Sequence, residues 1–234
     1  NGFLREGGCT PMLYFLYDRI QEALRKRQSL FVISYDQQKA YDSIQHWHVR
    51  LALQRISWPE HSIRFVLNYL QNACSCVLTQ YGNTPYFKLQ NSLRQGDPFS
   101  PLLYILCIDP LHCLLRDLIP SHNLGVPWGP PTNPECDVTL GYCDDNILLN
   151  TTPQATYTGH TYVTTWFELH SLRLHLKDKT NFRYLSFNPG EIFTLNSYDW
   201  GTPGNESPWK PETTHFTYLG IHIRLDLRPT THLQ

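Results

Sequence analysis

Leu140-Gly141-Tyr142-Cys143-Asp144-Asp145-Asn146-Ile147-Leu148-Leu149 is the stretch on which the reading of this chain turns. Its two adjacent carboxylates lie between Val138-Thr139-Leu140 and Ile147-Leu148-Leu149, apolar runs short enough to be buried strands. The spacing predicts a β-hairpin that presents Asp144 and Asp145 at or beside its turn. Taken alone the pair says little, because Asp favours turns by bonding its own backbone. A second acidic position changes its meaning. Phe31-Val32-Ile33 reads as another buried strand and runs through Ser34-Tyr35 into Asp36. If the two strands are neighbours in one sheet, the carboxylates converge, and unpaired acids that close repel unless a cation neutralises them. Hard oxygen ligands suit Mg2+, which takes one or two protein carboxylates and fills its shell with water and phosphate oxygens. Two such ions about 4 Å apart serve an in-line phosphoryl displacement.

Composition bounds the rest. The 234 residues are 41% hydrophobic and 13% aromatic, enough for one large domain or two interleaved lobes with a substantial core. Charged residues make up only 17%, which excludes a disordered or coiled-coil chain. A net charge of -1 argues against binding nucleic acid by bulk charge. A local basic groove stays open, since Arg19, Arg25, Lys26, Arg27, Lys39, Arg50 and Arg55 bias the first quarter. Seven cysteines, an odd number without zinc-type spacing, read as reduced thiols of an intracellular protein. No apolar run is long enough to span a membrane, and no signal peptide is evident. Asn150-Thr151-Thr152 and Asn205-Glu206-Ser207 fit the glycosylation pattern, which is too short to carry weight. The missing initiator Met points to a fragment.

Along the chain, Thr10-Pro11 is expected to open a helix as cap and first turn, with Leu13, Leu16, Ile20 and Leu24 as its apolar stripe. Helices are expected over 47–56 and 61–72, and a hairpin over 74–90 around Tyr81-Gly82-Asn83. Ser100-Pro101 is expected to cap an apolar helix over 102–118, and the Pro- and Gly-rich 120–134 to be a connection. A helix over 162–169 and strands over 182–187, 192–195 and 216–223 complete an α+β order.

Three motifs in this order carry a family resemblance. Phe31-Val32-Ile33-Ser34-Tyr35-Asp36-Gln37-Gln38-Lys39-Ala40-Tyr41-Asp42, then Leu93-Arg94-Gln95-Gly96-Asp97-Pro98-Phe99-Ser100-Pro101-Leu102-Leu103, then Tyr142-Cys143-Asp144-Asp145, resemble reverse transcriptases of the non-LTR (LINE-like) retrotransposon type. The flanks agree: Gly2-Phe3-Leu4-Arg5-Glu6-Gly7-Gly8-Cys9-Thr10 before the first acidic motif, and Phe216-Thr217-Tyr218-Leu219-Gly220 near the end. The resemblance implies a truncated palm-and-fingers (right-hand) fold with an antiparallel palm sheet packed on helices. It places a reverse transcriptase domain at 1–225, with 1–30 and 46–90 largely fingers, 31–45 and 91–225 largely palm. An N-terminal fingers hairpin would be missing, and 226–234 would be a tail or the start of an absent thumb.

The same resemblance implies RNA-directed DNA synthesis with an RNA template, a DNA primer and dNTPs, inside the cell and in the nucleus of a eukaryotic host. Asp36 and Asp144 would hold two Mg2+ ions, with Mn2+ an alternative, Asp145 beside them and the Gln37 carbonyl a further ligand. Tyr41 would lie under the sugar and reject a 2′-hydroxyl, while Arg94, Gln95 and Gly96 line the nucleotide pocket. Glycine there permits close backbone approach. Lys179, in Lys177-Asp178-Lys179-Thr180, would protonate pyrophosphate, and Tyr218, Leu219 and Gly220 would grip the primer. Two departures stand out: Ser92 where the family usually has Gly, and Leu176 where Asn is common. A degenerate copy without chemistry is one rival reading. A two-metal nuclease or phosphohydrolase is another, which needs extra His or acidic ligands near Asp144, whereas histidines 46, 48, 170 and 175 read as lying elsewhere.

Overall fold

The computed structural model describes residues 8–130, 132, 134–176, 179–200 and 215–226. The chain opens with α1 (Cys9–Lys26), whose Leu16, Ile20 and Ala23 form a buried stripe at helical spacing. Its N-cap is Gly8, two residues earlier than Thr10-Pro11 implied, and Arg27 ends it in a left-handed conformation (φ 50°). Next come β1 (Leu30–Tyr35), buried along its whole length, then α2 (Ala40–Ser43), α3 (His46–Arg55) and α4 (Glu60–Gln71). The expected hairpin is a broken ladder of β2 (Cys74–Ser75), β3 (Leu78–Thr79), β4 (Gly82–Asn83) and β5 (Phe87–Lys88), with β2 on β5 and β3 on β4.

α5 (Ser100–Asp117) starts at Ser100 itself rather than after it, because Asp97 Oδ1 accepts from the Phe99 amide and sets the turn one residue early. The stretch after it is not wholly irregular: it holds α6 (Ile119–His122) and β6 (Val126–Trp128), which pairs with β7 (Glu135–Asp137). The carboxylate hairpin follows as β8 (Thr139–Tyr142) and β9 (Asp145–Asn150). α7 (Pro153–Leu169) begins nine residues before the expected start at 162, capped by Thr152 Oγ1 accepting from the Ala155 amide with Pro153 at the first turn.

β10 (Asn181–Leu185) matches its expectation, but 192–195 is no strand. It lies inside α8 (Pro189–Ser197), because Asn188 Oδ1 accepts from the Gly190 amide and Pro189 starts a helix that outweighs the strand preference of Ile192 and Phe193. β11 (His215–Tyr218) and β12 (Ile221–Arg224) form a hairpin over a two-residue loop, Leu219 (φ 50°) and Gly220 (φ 77°). Both loop residues are left-handed, as the tight hairpin turn of matching twist requires. The amino-terminal motif at residues 2–7, Lys177-Asp178, Asn205 and the tail from residue 227 lie outside the described residues.

The central sheet is antiparallel in the order β10-β1-β9-β8. Its two faces pack against different layers. Phe31, Ile33 and Leu148 join a core with Leu53 of α3, Leu67 of α4, Tyr104 and Leu111 of α5 and Val163 of α7. Leu30, Val32, Ile147 and Leu149 join a second core with Leu16 and Ile20 of α1 and Phe216 and Tyr218 of β11. Buried on both sides, β1 reads as a continuous apolar run rather than an alternation. Each fully buried Leu, Ile or Phe stabilises the fold by roughly 1.5–3 kcal/mol, so burial on both faces holds the sheet firmly. Tyr35 ties it to α7, its hydroxyl 2.9 Å from His160 Nδ1.

All seven cysteines are free. Asn150 is fully buried, with Oδ1 accepting from the Gly125 amide, so its sequon is no glycosylation site. Among the described residues no helix is long and apolar enough to cross a membrane.

Ser92 explains one departure from the family pattern. Its φ is 102°, a backbone that favours glycine, and its amide is fixed by donation to the Ile44 carbonyl. Ser92→Gly should therefore stabilise the domain by about 1 kcal/mol in urea denaturation, relief of local strain outweighing the added freedom of the unfolded chain.

Candidate active site

β1 and β9 are neighbours, and the register pairs Tyr35 with Asn146. Asp36 therefore follows directly on the last pair of one strand, and Asp145 begins the other. Tyr142 pairs with Asp145, leaving Cys143 and Asp144 as a two-residue turn with Cys143 left-handed (φ 56°). Strand alternation sets Asp145 on the face of Ile147 and Leu149. Burial pushes the Asp145 carboxyl up to about 6, and the negative charges of Asp144 and Asp36 add to the push. The three acids share one electrostatic neighbourhood.

Two basic side chains face Asp36. Lys179 Nζ lies 3.3 Å from Asp36 Oδ2 and His175 Nε2 lies 3.9 Å from it. The His175 amide also donates to the Asp36 carbonyl, and the Gln38 amide donates to Arg173, so segment 173–175 runs alongside 36–38. His175 thus belongs to the site, correcting the expectation that it lies elsewhere. Asp36 Oδ2 is buried and has no well-aligned hydrogen bond.

Tyr41 stands beside the turn. Its pKa is raised by burial and then by the charges of Cys143 and Asp144. Its ring stacks on Tyr104 at 5.1 Å, and the Tyr104 hydroxyl donates to Gln37 Oε1 while Gln37 Nε2 donates to Ser43. Tyr218 takes the opposite side: burial and then Asp145 and Cys143 raise its pKa, and its buried hydroxyl has no partner. The tip residues Leu219 and Gly220 are partly and largely exposed.

Arg94, Gln95 and Gly96 reach the site differently. The Leu93 amide donates to the Tyr41 carbonyl at 2.8 Å, which joins their loop to Tyr41 through the backbone. Gln95 and Gly96 are exposed, and the Arg94 guanidinium lies 5.4 Å over the Tyr69 ring. Among the described residues no ion pair joins Arg94 to the three acids. Gly96 has φ 86°, and a Cβ there would meet no atom within 4 Å, so the chain itself demands glycine for its backbone and not for space.

Among the described residues, no three His, Cys, Asp or Glu side chains gather as a preformed metal cage. Two or three acids, one of them with an upshifted carboxyl and another held by Lys179, nonetheless fit a hydrated Mg2+ that shares its shell with phosphates. Gln37, expected to contribute its carbonyl, is buried, with its amide engaged by Tyr104 and Ser43.

Several residues of the site were not singled out from sequence. Tyr104 hides in an apolar helix, and His175 is distant in the chain. One signal was available: glycine inside a strand marks close approach. A Cβ on Gly141 would lie 2.6 Å from His112 Nε2 and 3.2 Å from Asn146 Oδ1.

Comparison with known proteins identifies the fold that carries these residues. The family described as reverse transcriptase (RNA-dependent DNA polymerase) matches residues 4–223. The chain is 26% identical over 177 residues to the Pol polyprotein of the type-1 retrotransposable element R2 of Popillia japonica, covering 75% of this chain and 24% of that protein. It is 30% identical over 138 residues to a 149 kDa protein of transposon TX1 of Xenopus laevis, covering 58% and 10%. Against the R2DM polyprotein of Drosophila melanogaster it is 24% identical, covering 95% and 20%. The chain thus spans a quarter or less of these relatives. Among solved structures, telomerase from Candida albicans in complex with a fragment of telomeric RNA superposes with a TM-score of 0.64 at 12% identity, covering 93% of this chain and 34% of that one. Apo telomerase from Candida tropicalis, truncated of its C-terminal domain, gives 0.62 at 13% identity, covering 94% and 39%. The sheet, its helices and the carboxylate hairpin therefore make up a palm-and-fingers fold, and the chain belongs to the reverse transcriptase family, with relatives among non-LTR retrotransposons.

Proposed function

We propose that this domain carries the polymerising centre of a retroelement protein that copies an RNA template into DNA by adding dNTPs to a primer 3′-hydroxyl. One observation supports the reading above the others: the β1–β9 register sets Asp36 beside the Asp144-Asp145 turn, and burial with the neighbouring charges lifts Asp145 to about 6. Asp36 and Asp144 would hold two Mg2+ ions, or Mn2+, with Asp145 and the Gln37 carbonyl as further ligands. When bound, the ions supply Lewis-acid stabilisation of the attacking and leaving oxygens. Tyr41, set against Tyr104, would take the sugar and exclude a 2′-hydroxyl.

Arg94, Gln95 and Gly96 would flank the incoming nucleotide, and Tyr218, Leu219 and Gly220 would hold the primer end. Lys179 pairs with Asp36 in the free chain and would turn to the pyrophosphate when the site fills. The relatives belong to elements of a beetle, a frog and a fly, which favours an intracellular, nuclear setting for this chain too.

Primer extension on an RNA template in Mg2+ tests the assignment. Asp144→Asn should lower extension about a thousandfold or more, the loss of several kcal/mol of charge stabilisation. Extension undiminished by that change would remove Asp144 from the centre.

Asp145 supplies a test by stability. Its folded pKa of about 6 lies above the ordinary 3.8, so the folded state loses stability as pH rises from about 4 through 6. Without divalent ions, Asp145→Asn should be more stable than the parent at pH 7.5 by about 1 kcal/mol, allowing for solvent screening of a half-exposed group, and equal to it below pH 4. Millimolar Mg2+ should narrow the gap by stabilising the parent more.

A further inference from the structure

The turn that carries Asp144 is held by more than its two strands. Asn146, on β9 and almost fully buried, donates from Nδ2 to the Asp144 carbonyl at 3.1 Å. Its Oδ1 points the other way, toward Gly141 on the paired strand β8. From the opposite layer His112 of α5 reaches the same spot: its Nε2 and Asn146 Oδ1 lie 2.6 and 3.2 Å from where a Gly141 Cβ would stand. The far ring nitrogen, His112 Nδ1, lies 3.0 Å from Thr139 Oγ1 at the start of β8.

Asn146 Oδ1 is buried without a well-aligned hydrogen bond, and the His112 ring is the donor that faces it. One arrangement of protons then suits the set. The Thr139 hydroxyl donates to Nδ1, the neutral imidazole donates from Nε2 toward Asn146 Oδ1, and Asn146 Nδ2 donates to Asp144. His112 and Gly141 both line a pocket of about 340 Å3 bounded also by Met12, Ile105, Ile108 and Arg116, so packing does not enclose the ring on every side.

We infer that His112 and Asn146 are positioning residues: the chain from Thr139 through His112 and Asn146 to the Asp144 carbonyl fixes the direction of the Asp144 carboxylate. It rests on the proposed role of Asp144 but concerns residues outside that role. Cys143 gives such a brace a purpose, since a left-handed non-glycine residue stores strain that the surrounding structure must hold. Both would act through the Asp144 carbonyl.

The test uses the whole chain and two readouts, Mn2+ affinity by electron paramagnetic resonance and amide hydrogen exchange over residues 143–146. His112→Ala and Asn146→Ala should each weaken Mn2+ binding about tenfold and speed exchange in the turn, with exchange in α7 unchanged. The double variant should be no weaker than either single one, as members of one chain of bonds are not additive. His112→Gln, which can still accept from Thr139 and donate to Asn146, should stay within about threefold of the parent. Multiplying losses in the double variant, a Gln as weak as Ala, or unchanged exchange in both alanine variants would overturn the inference. If His112→Ala does not fold, His112→Gln and Asn146→Ala decide it. If Asp144→Asn leaves Mn2+ binding intact, the metal role of Asp144 fails, and the exchange readout still judges the brace.

Discussion

Pairing of β1 with β9 is the constraint from which the rest follows. A shift of one residue would move every side chain of a strand to the opposite face. Phe31, Ile33 and Leu148 would then leave one core, and Val32, Ile147 and Leu149 the other. Burial on both faces therefore fixes the register, and the register fixes where Asp36 ends relative to Asp145. The carboxylates repel one another and could not assemble themselves. Hydrophobic packing on the two faces holds them together against that repulsion.

The rest of the site hangs on the same frame from two layers. From one side come Tyr41 and Tyr104, stacked and tied to Gln37. From the other comes Tyr218, carried by a hairpin whose Phe216 enters the second core. Segment 173–175 adds backbone bonds along 36–38 and brings His175 and Lys179 to Asp36. Each group reaches the turn from a different part of the chain, so the site is only as ordered as the sheet beneath it.

Much of this was legible in the sequence, and the exceptions have physical reasons. The hairpin around Asp144 was readable because two apolar runs of strand length enclose a turn of polar residues. The strand before Asp36 was readable for the same reason. α7 was foreshortened because its first half has no apolar stripe: Ala155, Thr156 and Gly159 are small, and a Cβ on Gly159 would already meet the Leu148 methyls at 3.1 Å. Close approach replaced hydrophobicity there, and only the Thr152-Pro153 cap announced the helix. α8 was misread because Ile192-Phe193 suits a strand, yet its cap sits four residues upstream. His175 and Tyr104 were out of reach, since no local pattern tells which distant loop or helix will close over an acid.

The left-handed cysteine in the carboxylate turn has a chemical corollary. Burial and the adjacent Asp144 push the Cys143 thiol up to about 11, so at neutral pH it is almost entirely in the S–H form. Nucleophilic attack on peroxides, disulfides or alkylating agents needs the thiolate. Burial first, and the negative field that calls for a cation at the acids second, thus keep the sulfur beside them in its unreactive form, and a residue that looks like an oxidation hazard at the heart of the domain is shielded by its surroundings.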